Sequence, residues 1–290
     1  MGNGTQNKLK FESNYKSFEW THVQTKEERD LFNSNPFKEG ICILYIPEGS
    51  HLRIDFSEFT TTKPTLFFCG YQRIQILKGE NATLLSYNRD FYCIQIHDAE
   101  VACDGLLYNN AGQFPATELS KEENQLIQNL LSEIGKELKL QDSSMEEMVR
   151  ILLKQIIIRA TRLWKDQHLP AQLTGIPAEV EFYRNFNQLV EIHFKKWHSV
   201  ADYAELLGLT AKTLSNKFNK LNLTQPNEII KSRILLEAKR LLCFTNWSVK
   251  EIAYELGYED PAYFNRLFTS KVGDSPVVFR KLFSEGKKVH

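Results

Sequence analysis

Ser248-Val249-Lys250-Glu251-Ile252-Ala253-Tyr254-Glu255-Leu256-Gly257 repeats, in its chemistry, the earlier stretch Ser199-Val200-Ala201-Asp202-Tyr203-Ala204-Glu205-Leu206-Leu207-Gly208. Each copy opens on a serine with an acidic residue three positions later. Ser248 with Glu251 is a full capping box, in which hydroxyl and carboxylate each take an otherwise orphaned backbone N–H of a helix start. Ser199 with the shorter Asp202 is a weaker form of it. Ala204 and Ala253 fall in mid-helix, where a small side chain lets a second helix cross closely. Gly208 and Gly257 end the two helices where the chain needs a left-handed turn.

A second helix follows each turn. Thr210 caps one that runs to about Lys220, and Asp260 with Pro261 starts the other, an N-cap followed by a favoured first helical residue. Leu209, Leu214 and Phe218 form the inner side of the first, and Tyr258, Phe264 and Phe268 that of the second. A short helix, a glycine turn and a second helix with a polar outer side is the helix-turn-helix arrangement, whose second helix fits the ~12 Å wide major groove of DNA. One such match is weak evidence, because helix–glycine–helix is ordinary helical packing. Two copies 49 residues apart, joined by an apolar helix over Gln225–Leu242, are much more specific. That connector carries Ile229, Ile230, Ile234, Leu235, Ala238, Leu241 and Leu242, and its rigidity would fix the spacing of two reading heads.

From about Glu181 to Lys281 the chain resembles the AraC/XylS family of bacterial transcription regulators. The residues that carry the resemblance are Ser248-Val249-x-Glu251-Ile252-Ala253-x-x-Leu256-Gly257-Tyr258, Tyr263-Phe264-Asn265-Arg266-x-Phe268, Gly273-x-Ser275-Pro276 and Phe279-Arg280, with Arg233-Ile234 and Ala238-Lys239-x-Leu241-Leu242 in the connector. The first unit departs more: Gly208-Leu209-Thr210 and Leu214-Ser215-x-x-Phe218 fit, but Asn216 stands where arginine is frequent. The resemblance implies that the two recognition helices enter successive major-groove segments of double-stranded DNA. It also implies RNA polymerase as a partner and activation rather than repression.

The candidate DNA-contacting residues are Lys212, Thr213, Ser215, Asn216 and Lys220 in the first recognition helix, and Ala262, Asn265, Arg266 and Thr269 in the second, with Pro261 beside them. Asparagine pairs bidentately with adenine, and arginine with guanine, the latter worth ~1–3 kcal/mol of discrimination. Arg266 is the strongest single choice; against it stands a solvated surface arginine or an ion pair within the domain. Lys231, Arg233, Lys239, Arg280 and Lys281 are candidates for phosphate or for no contact. The helix starts at Ser199 and Ser248 are candidate phosphate seats, since free N–H groups and the helix dipole favour an anion.

Upstream the pattern changes. Ile41–Ile46, Leu52–Phe56, Thr65–Cys69, Arg73–Leu77, Thr83–Ser86 and Phe91–Ile96 are short segments rich in β-branched and aromatic residues, broken by turn formers. They predict an antiparallel sandwich or barrel. Arg53-Ile54-Asp55-Phe56 through Lys63-Pro64-x-Leu66-Phe67-Phe68 resembles, more loosely, the cupin-like sensing domains attached to such regulators. Residues 1–37 show no clear period. Leu119–Leu138 and Met145–Trp164 have helical spacing. The second is expected to start on a Ser144–Glu147 capping box and to line Met148, Leu152, Ile156, Ala160 and Leu163 or Trp164 on one side. Its broad apolar band fits a helix packed on its own sheet, or one that also serves as the face of a homodimer.

The fold class expected is therefore α+β: a cupin-like antiparallel sandwich or barrel with helices over residues 1–165, a linker over 166–177 and an all-α domain with two helix-turn-helix units over 178–290. The net charge is zero over 290 residues, yet from Gly175 onward 17 Lys+Arg face 13 Asp+Glu, and upstream 19 face 23. An acidic front and a mildly basic back suit a sensor joined to a DNA reader. Apolar residues at 42% allow a substantial core. The polar N-terminus argues against a secretory signal, and no apolar run approaches the ~20 residues of a membrane span. Cys42, Cys69, Cys93, Cys103 and Cys243 are dispersed, as free thiols in a reducing cytoplasm would be.

No cofactor is expected. His22, His51 and His97 are isolated, without the close spacing that converging metal ligands require. No nucleotide-binding or hydrolase motif is present. Tyr71, Tyr87, Phe91 and Tyr92 suit either an aromatic core or a pocket for a small organic effector. Two other readings stay open: helical units that bind protein instead of DNA, and a cupin-type metalloenzyme with a DNA-binding appendage.

Overall fold

The computed structural model describes residues 7–13, 15–35, 40–70, 72–88, 90–92, 107, 115–169 and 177–284. The chain divides into two compact units. One comprises Met1–Asn110 and Phe114–Leu169, the other Ala111–Gln113 and Pro170–His290.

The first unit has two antiparallel sheets. Strands β1 (Asn7–Ser13), β2 (Lys16–Val23), β3 (Ile41–Ile46), β6 (Thr65–Gly70), β8 (Ala82–Tyr87) and β9 (Ala116–Glu118) form a six-stranded sheet in the order β1-β2-β8-β3-β6-β9. Strands β4 (His51–Ile54), β5 (Ser57–Thr60) and β7 (Ile74–Lys78) form a second, in the order β5-β4-β7. A single core joins them: Cys42, Leu44 and Ile46, Phe67 and Cys69, and Leu84 from the large sheet meet Leu52, Ile54, Ile74 and Ile76 from the small one. This is the expected sandwich.

Strands β3 and β6 are buried almost continuously rather than alternately. One side of each faces the sandwich core. On the other side helices cover the sheet: Tyr45 donates its hydroxyl to Asn124 Oδ1 at 2.8 Å, and Trp20 Nε1 donates to the Leu131 carbonyl at 2.9 Å. A strand covered on both sides can be apolar at every position, which is why these segments read so clearly.

The covering helices are α2 (Lys121–Leu140) and α3 (Met145–His168), which pack on each other. Two expectations are corrected here. Ser144 does not cap α3 with its side chain. It sits in the right-handed helical region at φ −96°, and its N–H is taken by Asp142 Oδ1 at 2.9 Å, so the chain enters the helix through a turn led by Asp142. The buried line of α3 is Met145, Val149, Leu153, Ile156, Ala160 and Trp164, while Met148 is exposed. Helix α3 also runs to His168, past the expected start of the linker at 166.

Strands β1, β2, β5 and β9 and helix α1 (Lys26–Ser34) were not anticipated, although Thr25 and Glu28 form a complete capping box at the start of α1. Phe91 and Tyr92 lie in a turn and are buried. Cys93 to Ile96, His97, Cys103, Tyr71 and residues 170–176 fall outside the described residues.

The second unit is all helical. It comprises α4 (Pro177–His193), α5 (Val200–Leu206), α6 (Ala211–Lys220), α7 (Pro226–Phe244), α8 (Val249–Glu255), α9 (Pro261–Val272) and α10 (Pro276–Ser284). Helix α7 is the connector. It packs against α4, α5 and α6 on one side of the repeat and against α8 and α10 on the other. Each copy has its own aromatic centre. Phe186, Tyr203 and Phe218 meet in the first, with Phe186 and Phe218 ring centroids 4.8 Å apart. Phe264, Phe268 and Phe279 meet in the second, at 6.0 and 5.5 Å.

Candidate nucleic-acid interface

Both repeats start as their sequence predicts. Ser248 Oγ accepts from Glu251 N–H at 3.2 Å while Glu251 Oε2 accepts from Ser248 N–H at 2.7 Å. The shorter Asp202 makes the same reciprocal pair with Ser199, at 3.3 and 3.1 Å, so the first box is complete. The carboxylates of Asp202 and Glu251 thus hold the first turns of α5 and α8 themselves. Each helix start thus carries a negative side chain of its own against the helix dipole. Ala204 and Ala253 are buried beneath the crossing helices.

The turns need a left-handed residue, and Gly208 at φ +66° and Gly257 at φ +80° supply it. The two differ in their surroundings. A Cβ on Gly208 would meet nothing within 4 Å, whereas one on Gly257 would lie 2.0 Å from the Lys195 carbonyl oxygen. The segment leading into the first repeat therefore rests on the turn of the second. His198 adds to that contact. Its Nε2 is 2.8 Å from the Leu256 carbonyl and its ring lies 4.3 Å from that of Tyr258. Lys195 Nζ pairs with Glu255 at 2.5 Å. Burial pushes the His198 imidazole below its ordinary value, against the opposing pull of the Leu256 carbonyl and Asp202.

Recognition helix α6 begins with Thr210, whose Oγ1 accepts from Thr213 N–H at 3.1 Å. Leu214 and Phe218 are fully buried, and Leu209 is half-buried. At ~100° per residue, Lys212, Thr213, Asn216 and Lys220 lie opposite that buried pair, and all four are exposed; Ser215 is half-buried at the flank. Recognition helix α9 begins with Asp260, whose carboxylate accepts from Ala262 N–H at 2.8 Å and Tyr263 N–H at 3.2 Å. Phe264, Phe268 and Val272 are its buried line. Ala262, Asn265 and Arg266 are exposed. Thr269 is half-buried and donates its hydroxyl back to the Asn265 carbonyl at 2.8 Å, so its hydroxyl proton is engaged with its own helix.

Arg266 is 69% exposed and 3.7 Å from Asp260. An exposed pair at that length is worth well under ~1 kcal/mol, and leaves the guanidinium able to turn to a partner. Tyr263 and Ser270 were overlooked as surface residues. They lie on the outer side of α9 with Ala262 and Arg266, and Tyr263 is 51% exposed. Projecting the helix from Phe264 and Phe268 would have found both.

Two candidate phosphate contacts prove to be structural. Arg233 is 7% exposed, holds both carboxylate oxygens of Glu191 at 2.6 and 2.9 Å and Glu237 at 3.0 Å, and lies over the Phe194 ring at 3.8 Å. It ties α7 to α4. Arg280 donates to the Leu242 carbonyl at 2.8 Å and the Trp247 carbonyl at 2.5 Å, tying α10 to the approach of α8.

Elsewhere, among the described residues, no group of three His, Cys, Asp or Glu is placed to hold a metal ion. His22 contacts Thr83 Oγ1 at 2.8 Å, and His51 lies 3.4 Å from Glu58. No described helix is long and apolar enough to cross a membrane.

Residues 203–282 match a protein family described as a helix-turn-helix domain. Among curated proteins, the chain is 26% identical over 47% of its length to Histidine kinase P4 of Formosa agariphila, of which it covers 10%. It is 31% identical over 50% of its length to the HTH-type transcriptional regulator YisR of Bacillus subtilis, of which it covers 50%. To the HTH-type transcriptional activator Btr of Bacillus subtilis it is 34% identical over 27% of its length, covering 15% of that protein. The chain thus spans half or less of the length of these relatives. The matched stretch spans both glycine turns and both recognition helices, and residues 203–282 are a helix-turn-helix domain.

Proposed function

We propose that this protein is a sequence-specific, double-stranded-DNA-binding transcription regulator, an activator acting in the cytoplasm. One observation carries the reading. The recognition helices α6 and α9 put their exposed side chains at matching positions opposite matching buried ones, and both pack around the single rigid connector α7 or the helices it holds. Phosphate neutralisation would supply most of the affinity, and the two outer sides the specificity. RNA polymerase is the partner that activation requires.

The first unit has a core of its own, which fits a separate effector-responsive module. Helices α2 and α3 leave Leu126, Leu140, Met148 and Ile151 between 39% and 62% exposed. Exposed aliphatic side chains on two adjacent helices support dimerisation through that side. Sedimentation at micromolar concentration that shows only monomers would remove the dimer from this account.

Selection of random duplexes by the full-length protein, followed by sequencing, tests the DNA reading. The expected result is a motif with two blocks about one helical turn apart. Arg266→Ala should relax one block and Asn216→Ala the other. No enrichment at low salt, with or without cell extract as a source of effector, would sink it.

A further inference from the structure

We infer that Tyr263, with Ala262, recognises thymine in the DNA block contacted by the second unit, through the C5-methyl group of the base. The inference rests on the DNA-reading function proposed above and adds which base this pair of side chains selects.

The first turn of a recognition helix is where side chains meet base edges. In α9 the backbone of that turn has no N–H left with which to do so. Pro261 has no N–H, and the N–H groups of Ala262 and Tyr263 are both taken by the Asp260 carboxylate, at 2.8 and 3.2 Å. The same carboxylate puts a negative charge where a phosphate would otherwise dock. What remains pointing outward is a methyl group and a phenol ring, both exposed. The major-groove edges of the four base pairs carry one apolar group among them, the thymine methyl.

The ring is also held in place before DNA arrives. It lies 5.9 Å from the ring of Tyr258, itself buried, and the Arg266 guanidinium is 6.0 Å from its centroid. A side chain already fixed loses little freedom on binding. The matching positions of the first unit are Lys212 and Thr213. Both are polar, so the selection for a methyl group is specific to the second unit.

The test uses the full-length protein and a duplex drawn from its own selected motif. Thymines of the block relaxed by Arg266→Ala are replaced one at a time with deoxyuridine, which lacks only the methyl group, and dissociation constants are compared. At one or two positions the wild type should bind roughly fourfold more weakly, the worth of one buried methyl-sized group. In Tyr263→Ala the same replacements should cost nothing, and Tyr263→Phe should behave as wild type. An unchanged thermal unfolding midpoint of Tyr263→Ala shows that the exposed truncation left the domain folded. Uracil tolerated throughout the block, an equal loss in wild type and Tyr263→Ala, or a block without thymine would each overturn the inference while leaving DNA binding intact. A Phe variant that behaves like Ala would overturn it in favour of a hydroxyl contact. No motif at all would overturn the DNA-reading function beneath it.

Discussion

Counted from Leu214 and Phe264, the first buried residue of each recognition helix, the first unit presents Lys212, Thr213, Asn216 and Lys220 where the second presents Ala262, Tyr263, Arg266 and Ser270. Inside, the units nearly coincide: reciprocal capping boxes, a buried mid-helix alanine, a left-handed glycine and an aromatic pair below. Outside, the first sets two lysines among hydrogen-bonding side chains, and the second opens on a methyl group and a phenol ring ahead of its arginine and serine. The same scaffold can therefore carry two kinds of readout, because the inner positions fix the turn and leave the outer ones free. The turns differ as well. Gly257 lies under the Lys195 carbonyl and beside His198, while Gly208 stands clear.

That difference between the turns should produce the largest effect. Gly257→Ala combines left-handed strain, about 1–2 kcal/mol, with a Cβ 2.0 Å from a carbonyl oxygen, an overpacking worth about 1–3 kcal/mol more in urea unfolding. Gly208→Ala meets only the left-handed penalty, about 1–2 kcal/mol. Equal losses would break the distinction drawn between the turns.

Next come the outer sides. Arg266→Ala and Asn216→Ala should each cost about 1–3 kcal/mol of affinity for the selected duplex. Their salt responses should separate the units. Lys220→Gln should lower the slope of log affinity against log salt by about 1, and Tyr263→Phe should leave it unchanged. A Tyr263→Phe slope that falls as far would mean that the second unit also works through phosphate.

The caps should be more alike. Ser248→Ala and Ser199→Ala should each cost about 1 kcal/mol in thermal unfolding, because both boxes are complete. A silent Ser199→Ala would restore the weaker first box that the shorter aspartate suggests.

The smallest effect expected is on pH. His198 is held below its ordinary value by burial, so the folded state prefers the neutral ring. Its contribution is fully present above pH ~6.5 and is lost as pH falls below that. The unfolding midpoint should drop between pH 7 and 5.5, and less so in His198→Gln. His22 shifts in the same direction in the first unit, so some pH dependence should remain in the variant.

Legibility followed the cause of each element. The helices of the second unit could be placed to within a residue or two because Ser199, Thr210, Ser248 and Asp260 cap them through their own side chains, a local chemistry. The same chemistry at Thr25–Glu28 starts α1 and went unread among residues with no clear period, and at Ser144–Glu147 the same letters failed, because Asp142 reached the backbone first. Strands β3 and β6 were readable because cover on both sides made them largely apolar. Strand β1 is half-exposed at the sheet edge, with the sequence Asn7-Lys-Leu-Lys-Phe-Glu-Ser13, and only its pairing with β2 makes it a strand. In the candidate interface, Arg266, Asn216 and Lys212 were legible as polar residues on helices. Tyr263 was not, since an aromatic residue beside Phe264 reads as core until its helix is projected.

The linear order of residues determined that there are two repeated, capped helix pairs, what each turn requires and which residue types they carry, since capping and glycine turns depend on neighbours within four positions. Only the tertiary structure decided which cations are free. Arg233 and Arg280 look as available as Arg266 in the sequence, yet the first is enclosed by Glu191, Glu237 and Phe194 and the second by two carbonyls, partners 4 to 42 residues away. A charge finds its partner through space, and distance along the chain does not report it.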